Sequence, residues 1–347
     1  MKKILTLVLS LCMLLTMLTV FVACGEADYK LGMGVVVSMD SSKTGLAQVD
    51  ATVAAVVTDA EGKIVMCRID VAQNKYDLTK DFATEAAKTF KTKMELGDAY
   101  NMAAYGTPNV EGGTVKEWYV QTKAFENYVV GMTAAEVAAI KTQVVNNHKI
   151  AVDEALLNAG CTMQITEFMD AVVKACNDEQ GMSFTAAEGF TLGVAAKTSV
   201  DSANKAATQT EDGLIAMYTD FAASVVADGK VIATLNDAIQ PKINMNQNNA
   251  ITKRTFSGTK RELKEGYNMA AYGTPNIEGG TVKEWYVQSA AFSNYVVGKT
   301  ATEIAGMQTK EVNKHFISTE QALLDAGCTM QITGICAVVA QSATNAR

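Results

Sequence analysis

The stretch YNMAAYGTPNVEGGTVKEWYVQ, residues 100–121, returns as YNMAAYGTPNIEGGTVKEWYVQ at residues 267–288, with one valine exchanged for isoleucine. The same spacing of 167 residues continues without a gap through NYVVG (Asn127 and Asn294), His148 and His315, and AGCTMQIT at residues 159–166 and 326–333. Solenoid units recur every ~20–50 residues, so a period this long reads as duplication of a whole domain.

Upstream the copies have drifted. TDAEGKIVMCRIDVAQNK (58–75) lies opposite VVADGKVIATLNDAIQPK (225–242), and the pairs Asp70/Asp237, Gln73/Gln240 and Lys75/Lys242 are kept. YKLG at Tyr29 and FTLG at Phe190 open the two units, and NDEQGMSFTAAEG (177–189) reads as a short polar linker. The expectation is two homologous domains, 27–178 and 187–347.

Each unit reads as α+β. ATVAAVVTDAEGKIVMCRID spells two β-branched strands around a Gly-containing turn, and ASVVADGKVIATL repeats it with the stronger hairpin signal Asp228-Gly229. Trp118, Phe125 and Val129 recur near helical spacing before Gly131, a C′ residue. TAAE (133–136) and TATE (300–303) are capping-box spellings. EFMDAVVKA predicts a last helix burying Phe168 and Val172. Strands followed by helices give an antiparallel, hairpin-containing sheet with helices in each unit.

The chain opens MKKILTLVLSLCMLLTMLTVFVACGEADYK, with Lys2 and Lys3 ahead of an uncharged apolar run and Ala23 ahead of Cys24. That layout is a secretory signal over residues 1–23. FVAC resembles a bacterial lipobox, with Phe21 where leucine is usual, and implies lipidation of Cys24. An uncleaved membrane helix is the competing reading, since about 20 apolar residues span a bilayer. A plain secreted protein is the third reading; every version places the bulk of the chain outside the cytoplasm, and the lipidated one holds it at the membrane.

Losing residues 1–23 removes Lys2 and Lys3 and no acid, so the formal charge moves from −7 to −9. An acidic exterior argues against a nucleic-acid partner. Of seven cysteines, Cys67, Cys161, Cys176, Cys328 and Cys336 remain beyond the leader and Cys24. They read mainly as small buried hydrophobes. Only Cys161 and Cys328 are shared by both units; a nucleophilic thiolate beside His148 or His315 is the sharper reading, a packed turn the simpler one. One histidine per unit cannot build a multi-histidine metal centre. No HExxH, CxxC, GxSxG or Walker spelling marks a catalytic set.

Each unit resembles a divergent FMN-binding domain. EGKI (from Glu61) and DGKV (from Asp228) match that family's hairpin, and GCT at Gly160, Cys161, Thr162 and at Gly327, Cys328, Thr329 matches its GAT, with AV at Ala171 at the family's distance. The resemblance implies FMN as cofactor, phosphoester attachment at Thr162 and Thr329, and an electron-carrier role with a redox partner. A glycine opening a helix would bring N–H groups to the phosphate, and Trp118 and Trp285, with Tyr119 and Tyr286, would stack on the flavin. The family's Ser, Ala and Thr-Ser are here Ala159, Cys161 and Gln164-Ile165, or Ala326, Cys328 and Gln331-Ile332. The alternatives are a capped turn at AGCTMQIT, core packing for the tryptophans, and a non-redox binding or structural lipoprotein on the same scaffold. A binding or carrier protein is expected ahead of a turnover enzyme.

Overall fold

The computed structural model describes residues 27–187, 189–200 and 204–347; the leader and Cys24 lie outside them. In repeat 1, strands β1 (Ala27–Ser38), β2 (Leu46–Thr58) and β3 (Ile64–Asp77) form an antiparallel sheet. The hairpin turn closes where Gly62, at φ +77°, donates to the Asp59 carbonyl at 3.0 Å. A helix then runs from Trp118 to Tyr128, a small hairpin pairs β4 (Thr142–Val145) with β5 (His148–Ala151), and a last helix spans Thr166–Cys176. Strand β6 (Met182–Ala186) pairs antiparallel with β1, so the segment expected as a linker instead completes the order β3-β2-β1-β6.

Repeat 2 restates this plan. Strands β7 (Thr191–Val200), β8 (Gly213–Ala227) and β9 (Lys230–Ile239) match β1 to β3. Past Pro241, which has no N–H for the ladder, strand β10 (Lys242–Met245) carries on along β8, and β11 (Ile251–Thr255) adds an edge. The Asp228-Gly229 turn has both residues at positive φ, 50° and 72°, as a type I′ hairpin requires. It is one residue shorter than its counterpart, so β2 and β8 correspond with an offset of 168, not 167. The register confirms this: Thr52 pairs with Val36 and Val71, and Asp220 pairs with Lys197 and Ala238. By the same register Asp50, opposite Ser38, corresponds to Tyr218, opposite Ser199.

The apolar runs on β2 and β8 bury both faces. Val49, Ala51 and Val53 on β2 pack across the repeat boundary with Phe221, Ala223 and Val225 on β8. The alternate residues face outward: Ala54 and Val56 meet Phe168 and Val172, while Ala222 meets Val338 and Val339. The result is an α+β fold of two repeated parts in four layers, helices outside and two sheets sharing a central core. Both capping boxes form as spelled, at Thr133/Glu136 and Thr300/Glu303.

Two glycines set the spacing between β1 and the last helix of repeat 1. A Cβ at Gly32 would strike the Ala175 carbonyl, and one at Gly34 the Ala171 carbonyl. Because those neighbours are backbone, relief requires the whole helix to move. Gly34→Ala is expected to lower the urea unfolding free energy by about 1–3 kcal/mol, the usual cost of overpacking; an unchanged midpoint would show that the helix can lift off freely.

Candidate functional site

The two recurring blocks meet in space. Gly160, at φ +100°, caps the Glu154–Ala159 helix, and the next helix starts at Thr166 behind Ile165. GCT therefore closes a helix, which corrects the expectation that it opens one and presents its N–H groups to a phosphate. The turn is clamped by the first block. The buried Gln121 side chain accepts from Thr162 N at 2.9 Å and donates to the Lys116 carbonyl at 2.8 Å, and Asn109 donates to the Thr162 carbonyl at 3.0 Å. Lys116 reaches the Ala159 carbonyl at 3.4 Å and lies where a Cβ on Gly160 would fall. Repeat 2 matches bond for bond: Gln288 to Thr329 N at 2.8 Å, Asn276 to the Thr329 carbonyl at 3.0 Å, Lys283 to the Ala326 carbonyl at 3.4 Å. AGCTMQIT and YNMAAYGTPN…YVQ recur together because they are two halves of one hydrogen-bonded unit.

Cys161 and Cys328 are fully buried, and burial pushes each thiol up to about 12. A thiolate needs a lowered pKa and access, so the nucleophile reading fails and the packed-turn reading holds. His148 begins β5, after a turn with Asn146 and Asn147 at φ 50° and 65°.

Repeat 1 contains a cavity of about 340 Å³ on the outer face of its sheet. Thr162, Trp118 and His148 line it, with Gly106 and Asn109 from the long loop and Asp50, Thr52 and Gln73 from the strands. Gly160 and Cys161 are not part of its wall. Lys93 is, a residue that no catalytic or binding motif in the sequence marks. It opens a one-turn helix, Lys93–Leu96, capped by the Thr92/Glu95 box. Buried Asp70 fixes that helix, its Oδ1 accepting from Met94 N at 3.1 Å and from Val71 N at 2.7 Å. The Lys93 ammonium is thereby set 4.9 Å from the Tyr100 ring centroid and 5.6 Å from that of Trp118. Such contacts are worth about 0.5–2 kcal/mol, more when desolvated. The sequence signal was TK-x-EL, at residues 92–96 and again at 259–263.

Trp118 is only 3% exposed, with Lys93 over its ring and the edge of Phe168 at 5.9 Å and 86°. Lys93 thus lies over the ring, which still forms part of the cavity wall. Tyr119 is turned to Asp98, its hydroxyl donating at 3.1 Å.

In repeat 2 the matching space is built differently. Lys260 lies 4.6 Å from the Tyr218 centroid, 4.6 Å from Tyr267 and 5.3 Å from Trp285, and donates to the Tyr218 hydroxyl at 3.0 Å. Tyr218 shares its strand face with Asp220, two residues further on, and the Asp220 carboxylate sits against Gly334 at the start of the last helix, Thr333–Thr344. Thr329 and Gly327 line a separate groove of about 210 Å³ that Trp285 does not reach.

Four carboxyls are held in low dielectric. Burial raises Asp70 and Asp237 to about 6, and Glu126 and Asp220 to about 7. The folded state therefore keeps protons that the unfolded chain releases near pH 4, and stability falls as pH rises through that window. The unfolding free energy is expected to decline from about pH 4 to pH 7 and to level off above. Urea midpoints that climb over the same range would contradict these burials.

Among the described residues no helix is long and apolar enough to cross a membrane, and no group of three or more His, Cys, Asp or Glu side chains is placed to hold a metal ion. No protein-family model matches the chain, and no curated protein matches it. A solved structure from Bacteroides fragilis, a candidate exported protein with a YmcC-like fold, aligns at 8% identity over 65% of this chain and 92% of its own, with a TM-score of 0.12.

Proposed function

We propose that this chain is an exported lipoprotein, anchored through Cys24 on the outer face of the membrane, in which repeat 1 binds one small molecule and repeat 2 is its structural partner. The observation that carries the reading is the 340 Å³ cavity, into which both recurring blocks project. Its volume falls in the range of small-molecule sites, roughly 300–1,000 Å³, and it mixes aromatic walls with a cation, an amide and carboxylates.

Flavin is the ligand implied by the family resemblance. Thr162 and Lys93 suit the phosphate end of FMN in repeat 1, since both line the cavity. The residues of repeat 2 do not fit the group, because Tyr218 and Asp220 hold the corresponding space. Lys93 over the Trp118 ring, where a flavin would stack, favours a second reading, a non-redox ligand-binding protein on the same scaffold.

Native and denaturing masses, with a visible spectrum, separate these readings for mature protein extracted from membranes of cells that carry an FMN transferase. One ligand in the native mass supports the binding function. A yellow protein retaining one FMN after denaturation, and losing it in Thr162→Ala, supports covalent flavin; a colourless ligand released on denaturation supports the non-redox reading. A native mass equal to the lipidated chain alone would overturn both. Cys24→Ser is expected to abolish palmitate incorporation and to move the protein from the membrane to the soluble fraction.

A further inference from the structure

We propose that the ligand of the repeat 1 cavity is a small phenolic molecule, whose ring takes the place that the Tyr218 side chain holds in repeat 2. This rests on the reading that repeat 1 binds a small molecule, and it names the class.

The two repeats are the same site with and without a built-in occupant. In repeat 2 the Lys260 ammonium is surrounded by three rings, those of Tyr218, Tyr267 and Trp285. In repeat 1 Tyr100 and Trp118 supply two of them around Lys93. The third wall is missing. Its position on the strand is Asp50, the register counterpart of Tyr218, and Asp50 lines the cavity. Exchanging a tyrosine for an aspartate removes a ring from the cage and leaves room for one.

The polar end is matched as well. In repeat 2 the Tyr218 hydroxyl accepts from Lys260 at 3.0 Å, with the Asp220 carboxylate on the same face of the strand. In repeat 1 the corresponding donor, Lys93, and two acceptors, Asp50 and Thr52, all line the cavity. Gln48 steadies the Asp50 carboxylate at 2.8 and 3.0 Å. A hydroxyl seated there accepts from the ammonium and donates to an oxygen, so neither end is left unpaired. A saturated ring would fill the volume and forgo the cation–π contact.

The test is calorimetric titration of the intact mature protein with p-cresol, and with 4-methylcyclohexanol as the saturated control. Saturable p-cresol binding is expected, with the alcohol at least tenfold weaker. Asp50→Phe, which restores a ring from within, is expected to weaken p-cresol at least tenfold while raising the melting temperature. Lys93→Met gives an independent readout that leaves the strand intact, with about tenfold weaker binding expected. Equal binding of the two probes, binding untouched by both variants, or no p-cresol binding up to its solubility would each overturn the phenol assignment. If the membrane-extracted protein nonetheless carries a retained small molecule that p-cresol fails to displace, the class is wrong and the binding function stands. If it carries none, the binding function itself falls.

Discussion

Replacing Arg261 by alanine is expected to lower the free energy of unfolding by about 3–5 kcal/mol, the cost of breaking a buried ion pair from one side. Arg261 belongs to repeat 2, yet its Nη2 donates to Asp178 at 3.0 and 3.2 Å and to the Gln180 carbonyl at 2.8 Å, both at the end of repeat 1. Gln180 donates back to the Arg261 carbonyl at 2.8 Å, and Asp178 also accepts from Met33 N at 3.1 Å. The two side chains are 7% and 9% exposed. Without the guanidinium, Asp178 stays buried with its charge unmatched. The double variant Arg261→Met with Asp178→Ala removes both charges and is expected to lose less than Arg261→Ala alone. Chemical denaturation of the three proteins decides it; equal losses for the single and double variants would mean that Asp178 is solvated once Arg261 is gone. The counterpart of Arg261 in repeat 1 is Met94, so this clamp is specific to the joint between repeats.

The second large effect is on the clamp beneath the cavity. Gln121→Leu keeps the volume but leaves Thr162 N and the Lys116 carbonyl without their partner. Each buried group left unpaired costs about 1–3 kcal/mol. Gln288→Leu should cost a similar amount, since the bonds are the same in repeat 2. The two variants are expected to part on ligand retention: Gln121→Leu loses it with the wall that Thr162 forms, and Gln288→Leu does not. Matching retention in the two would mean the site is not confined to repeat 1.

Much of the fold was legible because local rules and tertiary packing agree. Asp228-Gly229 forms the turn it spells, Thr133/Glu136 and Thr300/Glu303 cap the helices they precede, and Phe168 and Val172 face the sheet. The central packing was only half legible. The near-continuous apolar run on β2 says that both faces are covered, and it does not say that the second cover is another copy of the same sheet. Strand β6 was hidden because MSFTA is short and half polar, and it forms by pairing with the edge of β1.

The site was less legible than the fold. GCT reads equally as the start or the end of a helix, since a glycine after one helix and before another fits either capping position; of its three residues only Thr162 lines the cavity. Lys93 does not stand out because a lysine ordinarily reads as solvated surface; its aromatic setting is made by residues 7 and 25 positions further on. The decisive exchange of Asp50 for Tyr218 lies in the part that has drifted. It becomes visible only after the one-residue difference in the hairpin turns is allowed for in the register.

The central claim is that one repeat is an open site and the other carries its own occupant. Native masses of the membrane-extracted wild type and of Asp50→Phe, both checked for folded circular dichroism, test it most directly. The account predicts one retained ligand per chain in the wild type and none in Asp50→Phe. Two ligands per chain, or one that survives Asp50→Phe undiminished, would contradict it.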